Sequence, residues 1–526
     1  MTGAELISEF LAVMDLPSVF GVSGANCEDL FESIGRKAKS RIFLSKSEYG
    51  AATMALGQYL ASLKTGVVVT TSGPGILNTI PVLAEAFTSK LPLLVLAGSV
   101  PLDAEGEGPF QDTSGKSDSI DLEAMLKQCT CFVRKITSEE MFADTLQTAY
   151  LKCLQDKRPA VVIVPKDMAQ GEIFTRRDFV HPEKADSDET LLKDQLQNFC
   201  NEMSRGKTQP LIVLGDDCVH VKEKKNFLDF AERCDAQVIV TPNAKGCFDH
   251  QSKRFAGLIG IMGHESALKI FQAAAHVLFI GFHKSSLNLI GINEAFVEKK
   301  KFFLDADQSQ LLIAMKSPAS KKIEGSTPAL PSNYRKGFYP ETIVSVIQKT
   351  LSKDANIFVD AGNTGAWVVH HFKCSGQGLF SISLGMGGMG NSIGAAIGAA
   401  SLRQKRSVVF MGDGSFLLQG MEIHTALQYS LPVTVFIFNN NAHQMCSTRE
   451  RLFLKAETNL NRFKPSFFAN GILKMFPGLP AREIYSIEDL EECLSDFKSV
   501  RGPVVISLNC NETDNPPFLT FKRSQV

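Results

Sequence analysis

Three doubly wound α/β domains with mainly parallel sheets are what this sequence predicts, on three observations. The chain has 526 residues, too many for one core, and length alone points to roughly three or four domains. Short Val/Ile/Leu/Phe runs recur along it, each ending at Gly, Pro, Ser or Asp and followed by a helical pattern. Runs that are apolar throughout, rather than alternating, suit strands buried on both faces of a parallel sheet. Two segments, 174–190 and 316–340, break the rhythm with Ser, Pro, Gly and charged residues and read as linkers. The expected domains are 1–170, 190–315 and 340–526.

The expected strands of the first domain are 18–23, 41–45, 67–71, 93–97 and 160–164. Those of the middle domain are 211–214, 237–241, 276–280 and 301–304. Those of the last are 356–359, 379–383, 407–411, 433–438 and 504–508. No short-period repeat is evident.

Composition excludes several function classes. The 55 basic and 56 acidic residues leave a net charge of −1, which gives no footprint for nucleic acid. The longest apolar runs fall well short of the ~20 residues of a membrane span. Twelve cysteines form no CxxC pair, and Glu5 and Glu9 interrupt any secretory leader. That combination reads as reduced thiols in a cytoplasmic protein.

The most informative stretch runs from Ser407 to Met445. One strand ends in Gly412-Asp413-Gly414-Ser415, and the next ends in Asn439-Asn440-Asn441, with Asp413 and Asn440 27 residues apart (440 − 413). In a βαβ unit that spacing puts both side chains at the carboxyl edge of neighbouring parallel strands, where ligands bind. A carboxylate and an amide oxygen suit Mg²⁺, which shares its shell with phosphate. Gly412 and Gly414 let backbone approach a diphosphate, and Ser415 with the following helix N-terminus can donate to it. Gly385, Gly387 and Gly390 also spell GxGxxG, followed at 23 residues (413 − 390) by Asp413. That acid sits inside the metal motif, poorly suited to grip a ribose, so these glycines are assigned another role.

The pairing of Gly-Asp-Gly with a downstream Asn-Asn resembles the signature of thiamine-diphosphate enzymes. The likeness extends over nearly the whole chain to the group of acetolactate synthase, benzoylformate decarboxylase and pyruvate decarboxylase, closest in pattern to the acetolactate synthase large subunit. It implies that Asp413, Asn440 and the Ala442 carbonyl bind Mg²⁺. Glu48, opening a helical run after a strand, would bond the pyrimidine ring nitrogen and activate the cofactor, and Gly73 lies in the Thr71–Gly75 turn nearby. Met389 would sit under the bend of the cofactor, and the Gly387 carbonyl would hold its amino group. Asn363 and Thr364 match a diphosphate-touching loop. By the same resemblance Glu48 of one subunit faces the Asp413 site of another, which implies a homodimer at minimum and often a tetramer.

The resemblance implies a carboligase that decarboxylates a 2-oxo acid, pyruvate by preference, and adds the remaining unit to a second carbonyl compound. Ala25 stands where pyruvate decarboxylases carry an acid, and no His occurs between residues 1 and 180. Phe110-Gln111-Asp112 resembles the Phe-Gln-Glu segment of acetolactate synthase, which points to Gln111 as a substrate contact. His443, beside the metal motif, is a candidate proton shuttle. The Arg that helps relatives bind FAD is not evident in Gly281-Phe282-His283-Lys284, which argues against FAD. The alternative reactions are a non-ligating 2-oxo-acid decarboxylase and, third, an inactive regulatory relative. Retention of Glu48, Asp413 and Asn440 argues against the last.

Overall fold

The structure is a computed structural model that describes all residues except 175–177, 182–189, 207, 316–330, 332–333, 403–404, 455–457, 512–513 and 524–526. Most of the two expected linkers therefore lies outside the described residues.

Among the described residues, seventeen strands form three sheets. The first contains β1 (Ser18–Gly21), β2 (Arg41–Leu44), β3 (Gly66–Thr70), β4 (Leu93–Ser99), β5 (Phe132–Lys135) and β6 (Pro159–Pro165). The second contains β7 (Leu211–Leu214), β8 (Gln237–Val240), β9 (Phe255–Leu258), β10 (His276–Ile280) and β11 (Lys300–Leu304). The third contains β12 (Asn356–Val359), β13 (Phe380–Ile382), β14 (Ser407–Gly412), β15 (Val433–Asn439), β16 (Ala481–Ile484) and β17 (Val504–Asn509). Neighbouring strands pair in parallel throughout, as in Met411 beside Ile437. Every position of β3, β4, β6 and β15 is buried, as continuous apolar runs require.

Sequence reading passes over β5, β9 and β16, and each is an edge strand. Edge strands contact one neighbour, so they need no unbroken apolar run; β5 reads Phe-Val-Arg-Lys and β16 Ala-Arg-Glu-Ile.

The first sheet runs β2-β1-β3-β4-β6-β5 and the third β13-β12-β14-β15-β17-β16, so the two share one strand order. In both, the order reverses beside the opening strand, between β1 and β3 and between β12 and β14. Ligands bind at such switch points, at the carboxyl ends of the strands. Residues 22–26, 71–75, 360–364 and 412–415, where the sequence motifs fall, lie at the carboxyl ends of β1, β3, β12 and β14.

The first and last domains meet through two helices, Glu48–Ser62 and Asn391–Ala400. They touch backbone to backbone: a Cβ on Gly57 would lie 1.8 Å from the Ala395 carbonyl oxygen, and one on Gly398 1.7 Å from that of Met54. Only glycine permits this approach. Among the described residues no helix is long and apolar enough to cross a membrane.

Candidate active site

Asp413 opens the helix Asp413–Gln419 directly after β14 and is 2 % exposed. Its Oδ1 accepts the Gly414 N–H at 2.8 Å, and its Oδ2 accepts those of Asn440 and Ala442, each at 3.2 Å. Burial pushes the carboxyl up from its ordinary range, and these backbone donors pull against it. One carboxylate thus organises the loop after β15. The Asn440 amide donates to Gln444 Oε1 at 2.7 Å, which turns its Oδ1 inward, and that Oδ1 is buried without a partner. The bridge between Ala442 and Arg462 is made by the N–H groups of His443 and Phe463 and the carbonyls of Asn461 and Asn441, so it leaves the Ala442 carbonyl out.

A buried oxygen without a hydrogen bond is costly unless something else satisfies it. An Asp carboxylate, an orphaned amide oxygen and a backbone carbonyl form an all-oxygen donor set that fits Mg²⁺. The Asn363 Oδ1 is likewise buried and unpartnered, while its amide donates to Thr448 Oγ1 at 3.1 Å. Asn363 and the buried Thr364 open the helix Asn363–His371 after Gly362, whose φ of +101° leaves open space where a side chain would stand. Thr364 Oγ1 lies 3.6 Å from the position of a Cβ on Gly412. Helix N-termini, open backbone and a cation site together fit a diphosphate.

The glycine loop after β13 is held by two acids. Glu85, 2 % exposed, accepts the N–H groups of Gly385 (3.0 Å), Met386 (2.6 Å) and Gly387 (3.3 Å) and the Ser89 hydroxyl (2.7 Å). Asp360, fully buried, accepts those of Gly390 (2.9 Å) and Ser392 (2.8 Å), and the Ser415 side chain bonds it as well. Gly387, at φ +69°, has open space beside it, and Met389 is 40 % exposed. The loop thus presents a bare backbone and one apolar side chain. The strand ends three residues before Gly385, and the helix begins only at Asn391. This is not the strand–turn–helix of a dinucleotide fingerprint.

Ser47 caps the helix Glu48–Ser62, its Oγ accepting the Gly50 N–H, and Glu48 stands at the first helical position. Glu48 Oε2 accepts the Asn78 amide at 3.1 Å, and its Oε1 lies 3.6 Å from where a Cβ on Gly75 would be. Tyr49 donates to the Met389 carbonyl at 3.1 Å and to Asn391 Oδ1 at 2.9 Å. Glu422, 1 % exposed, accepts the N–H groups of Lys46 and Ser47 and the hydroxyls of Ser47 and Thr425. Gly73, at φ +58°, packs against Gln111, itself in the left-handed region at φ +65°. The Asn26 amide donates to Ser72 Oγ at 2.6 Å, and Ser72 Oγ to Gln111 Oε1 at 3.4 Å. His443 lies over Gly414, its Nδ1 2.7 Å from where a Cβ would be, with its ring edge-on to Phe463.

Sequence reasoning missed Glu85 and Glu422 altogether and saw Asp360 only as loop. Their partners lie as much as 376 residues away in the chain, so no local pattern marks them.

Three family models match successive parts of the chain. Residues 1–121 match the thiamine pyrophosphate enzyme N-terminal TPP binding domain, 200–316 the central domain and 360–508 the C-terminal TPP binding domain. The chain belongs to the thiamine pyrophosphate enzyme family. Three relatives in that family are distant in sequence. The putative thiamine pyrophosphate-containing protein YdaP of Bacillus subtilis is 24 % identical, over 100 % of this chain and 94 % of its own length. The mitochondrial acetolactate synthase catalytic subunit of Saccharomyces cerevisiae is 24 % identical, over 97 % of this chain and 81 % of its own. The acetolactate synthase isozyme 2 large subunit of Escherichia coli is 23 % identical, over 98 % and 96 %.

Proposed function

We propose that this thiamine-pyrophosphate enzyme is a carboligase that decarboxylates a 2-oxo acid, pyruvate by preference, and joins the remaining unit to a second carbonyl compound. The observation that supports the cofactor part of the reading is the orphaned Asn440 Oδ1 beside the buried Asp413. With the Ala442 carbonyl they would hold Mg²⁺, and the metal would hold the diphosphate. Asn363, Thr364, Gly412, Gly414 and Ser415 line that end. The Gly387 carbonyl and Met389 would seat the pyrimidine and the bend, with Gly73 on the facing turn. Domains 1–170 and 340–526 would supply the two halves of the site, with 190–315 between them in the chain.

When bound, thiamine diphosphate supplies a carbon nucleophile for the keto carbon and a sink for the electron pair left by carbon dioxide. Glu48 would share a proton with a pyrimidine ring nitrogen, and the Asn78 amide orients its carboxylate for that exchange. Asn26, Ser72 and Gln111 form a hydrogen-bonded wall with no acidic proton among them. Such a wall suits an entering carbonyl better than protonation. Gln111, held against Gly73, would bind the substrate.

One observation favours the non-ligating decarboxylase: the His443 imidazole lies over Gly414, where it would serve as the proton shuttle. Incubation with pyruvate, with and without an aldehyde acceptor, separates the two. A ligation product with acceptor is expected, and acetaldehyde as the only product would overturn the carboligase reading. Turnover unchanged in Glu48→Gln would overturn the role of Glu48.

Exposed apolar side chains accompany both half-sites. Leu417, Leu418 and Met386 are 56–61 % exposed, and Phe110 beside Gln111 is 85 % exposed. Patches of this kind favour burial against a second copy. We therefore include a homodimer at minimum, with a tetramer as its common extension, Glu48 of one protomer serving the Asp413 site of its partner.

A further inference from the structure

The middle sheet runs β9-β8-β7-β10-β11, so its own switch point lies between β7 and β10. Dinucleotide-binding sheets use free backbone amides of the loop there to cradle a pyrophosphate. In this chain the base of that crevice is closed. The Gly215 N–H donates to the Ile280 carbonyl (2.8 Å) and the Asp217 N–H to the Gly281 carbonyl (3.0 Å), so the end of β10 and the residue after it consume these amides. The two backbones touch: a Cβ on Gly215 would lie 2.2 Å from the Phe282 Cα. Two acids follow. Asp216 accepts the Thr241 hydroxyl (2.7 Å) and the Asn288 amide (2.6 Å). Asp217 accepts from His283 (2.8 Å) and Lys90 (2.9 Å). The Lys284 ammonium lies over the Phe303 ring at 4.7 Å.

Above this closed base remains a cavity of about 260 Å³ where the three domains meet. Leu56 and Leu60 of the first domain, Val219 and Leu287 of the middle and Leu384 and Ala395 of the last form its apolar walls. Asp216, Asn288, His283 and Glu85 supply polar edges, and among the described residues no lysine or arginine lines it. The volume lies below the ~300–1,000 Å³ of sites for drug-sized ligands, and a flavin dinucleotide is larger than a drug.

We propose that this three-domain cavity binds a small uncharged or cationic molecule with an apolar body and a hydroxyl or amine donor, and that it takes no dinucleotide. Two carboxylates without a lining lysine or arginine disfavour a phosphate or carboxylate guest, whose charge would be desolvated without a permanent counter-charge. A donor finds spare lone pairs on the Asp216 carboxylate, since each oxygen there accepts only one bond of those described. The residues present therefore do not fit FAD. Glu85 lines the cavity and also holds the N–H groups of residues 385–387, so an occupant bears on the loop that carries Gly387. That coupling rests on the proposed role of Gly387; the binding does not.

The test uses the full chain without thiamine diphosphate or metal, so that failure here is separable from failure of the cofactor reading. Benzylamine, benzyl alcohol, benzoate, ADP and FAD are titrated by ligand-observed NMR, with flavin fluorescence as a second readout for FAD. Benzylamine and benzyl alcohol are expected to bind with dissociation constants on the order of a millimolar, as fits so few atoms. Benzoate, ADP and FAD are expected to bind at least about tenfold more weakly than benzylamine. Ser286→Trp and Leu60→Trp fill the cavity from the middle and the first domain, and each should weaken both binders by about tenfold or more while thermal melting shows a folded chain. Micromolar binding of FAD or ADP, benzoate bound as well as benzylamine, silence from both neutral and cationic probes, or binding untouched by either substitution in a folded chain would overturn the proposal.

Discussion

Replacing Glu85 with Ala removes the acceptor for three backbone N–H groups and one hydroxyl at 2.6–3.3 Å. A hydrogen bond to a charged acceptor contributes roughly 1.5–3 kcal/mol, which for four bonds is a nominal ~6–12 kcal/mol. Two corrections shrink that figure. Met386 is 61 % exposed, so its freed N–H takes water. Bonds that share one carboxylate do not add. About 2–4 kcal/mol remains, roughly a 30- to 1,000-fold loss in the ordered loop population. If Gly387 holds part of the cofactor, affinity for thiamine diphosphate with Mg²⁺ should fall by about 10- to 100-fold. Glu85→Gln should lie between, because its Nε2 would face donors. Trp367, the only tryptophan of the chain, is buried in the helix that opens with Asn363 and Thr364, so its fluorescence can report the titration. Affinity within about twofold of wild type in Glu85→Ala, with an unchanged melting temperature, would refute the reasoning.

Other expectations follow from buried groups. Lys245 is fully buried, its ammonium bonding the Val369 carbonyl at 2.7 Å, and burial pulls it from 10.5 to about 8. Between those values the unfolded chain holds the proton and the folded one does not, so this group makes stability rise with pH across that window; below about pH 8 it withholds about 3 kcal/mol. The melting-temperature advantage of Lys245→Met over wild type should therefore shrink from pH 7 to pH 10. Burial likewise lowers His220 to about 4, so its contribution is present above about pH 6.5 and lost as pH falls toward 4. His220→Gln should show a shallower acid loss of melting temperature in that range. Glu422→Ala leaves the N–H groups of Lys46 and Ser47 without their acceptor and should cost about 2–4 kcal/mol in denaturant unfolding, while Glu422→Gln, which keeps one oxygen there, should cost less. Gly398→Val drives a side chain into the Met54 backbone and should destabilise by more than about 3 kcal/mol, read by the same unfolding measurement.

Central strands were legible because both of their faces are covered: β15, Val433–Asn439, is buried at every position and apolar but for Thr434 and the closing Asn439. β5, β9 and β16 were not, because an edge strand tolerates Arg, Glu or Gly. Asp413 and Asn440 were legible because one βαβ unit fixes their spacing, and in the structure the Asn440 backbone N–H donates to the Asp413 carboxylate. Glu85 was not, because its three amide partners lie 300 or more residues away and are brought close only by the packing of the first domain on the last. The shared strand order of the first and third sheets leaves no short repeat in the residues. Topology is kept by burial pattern, which many different apolar residues satisfy.

The claim on which the account stands is that Asp413 and Asn440 hold a diphosphate through a divalent cation. Titration calorimetry of thiamine diphosphate in the presence and absence of Mg²⁺, on wild type, Asp413→Asn and Asn440→Ala, tests it most directly. Wild type should bind tightly only with Mg²⁺, and each variant should lose most of that metal-dependent gain while remaining folded by thermal melting. Equal binding with and without Mg²⁺, or metal-dependent binding retained in both variants, would contradict the account.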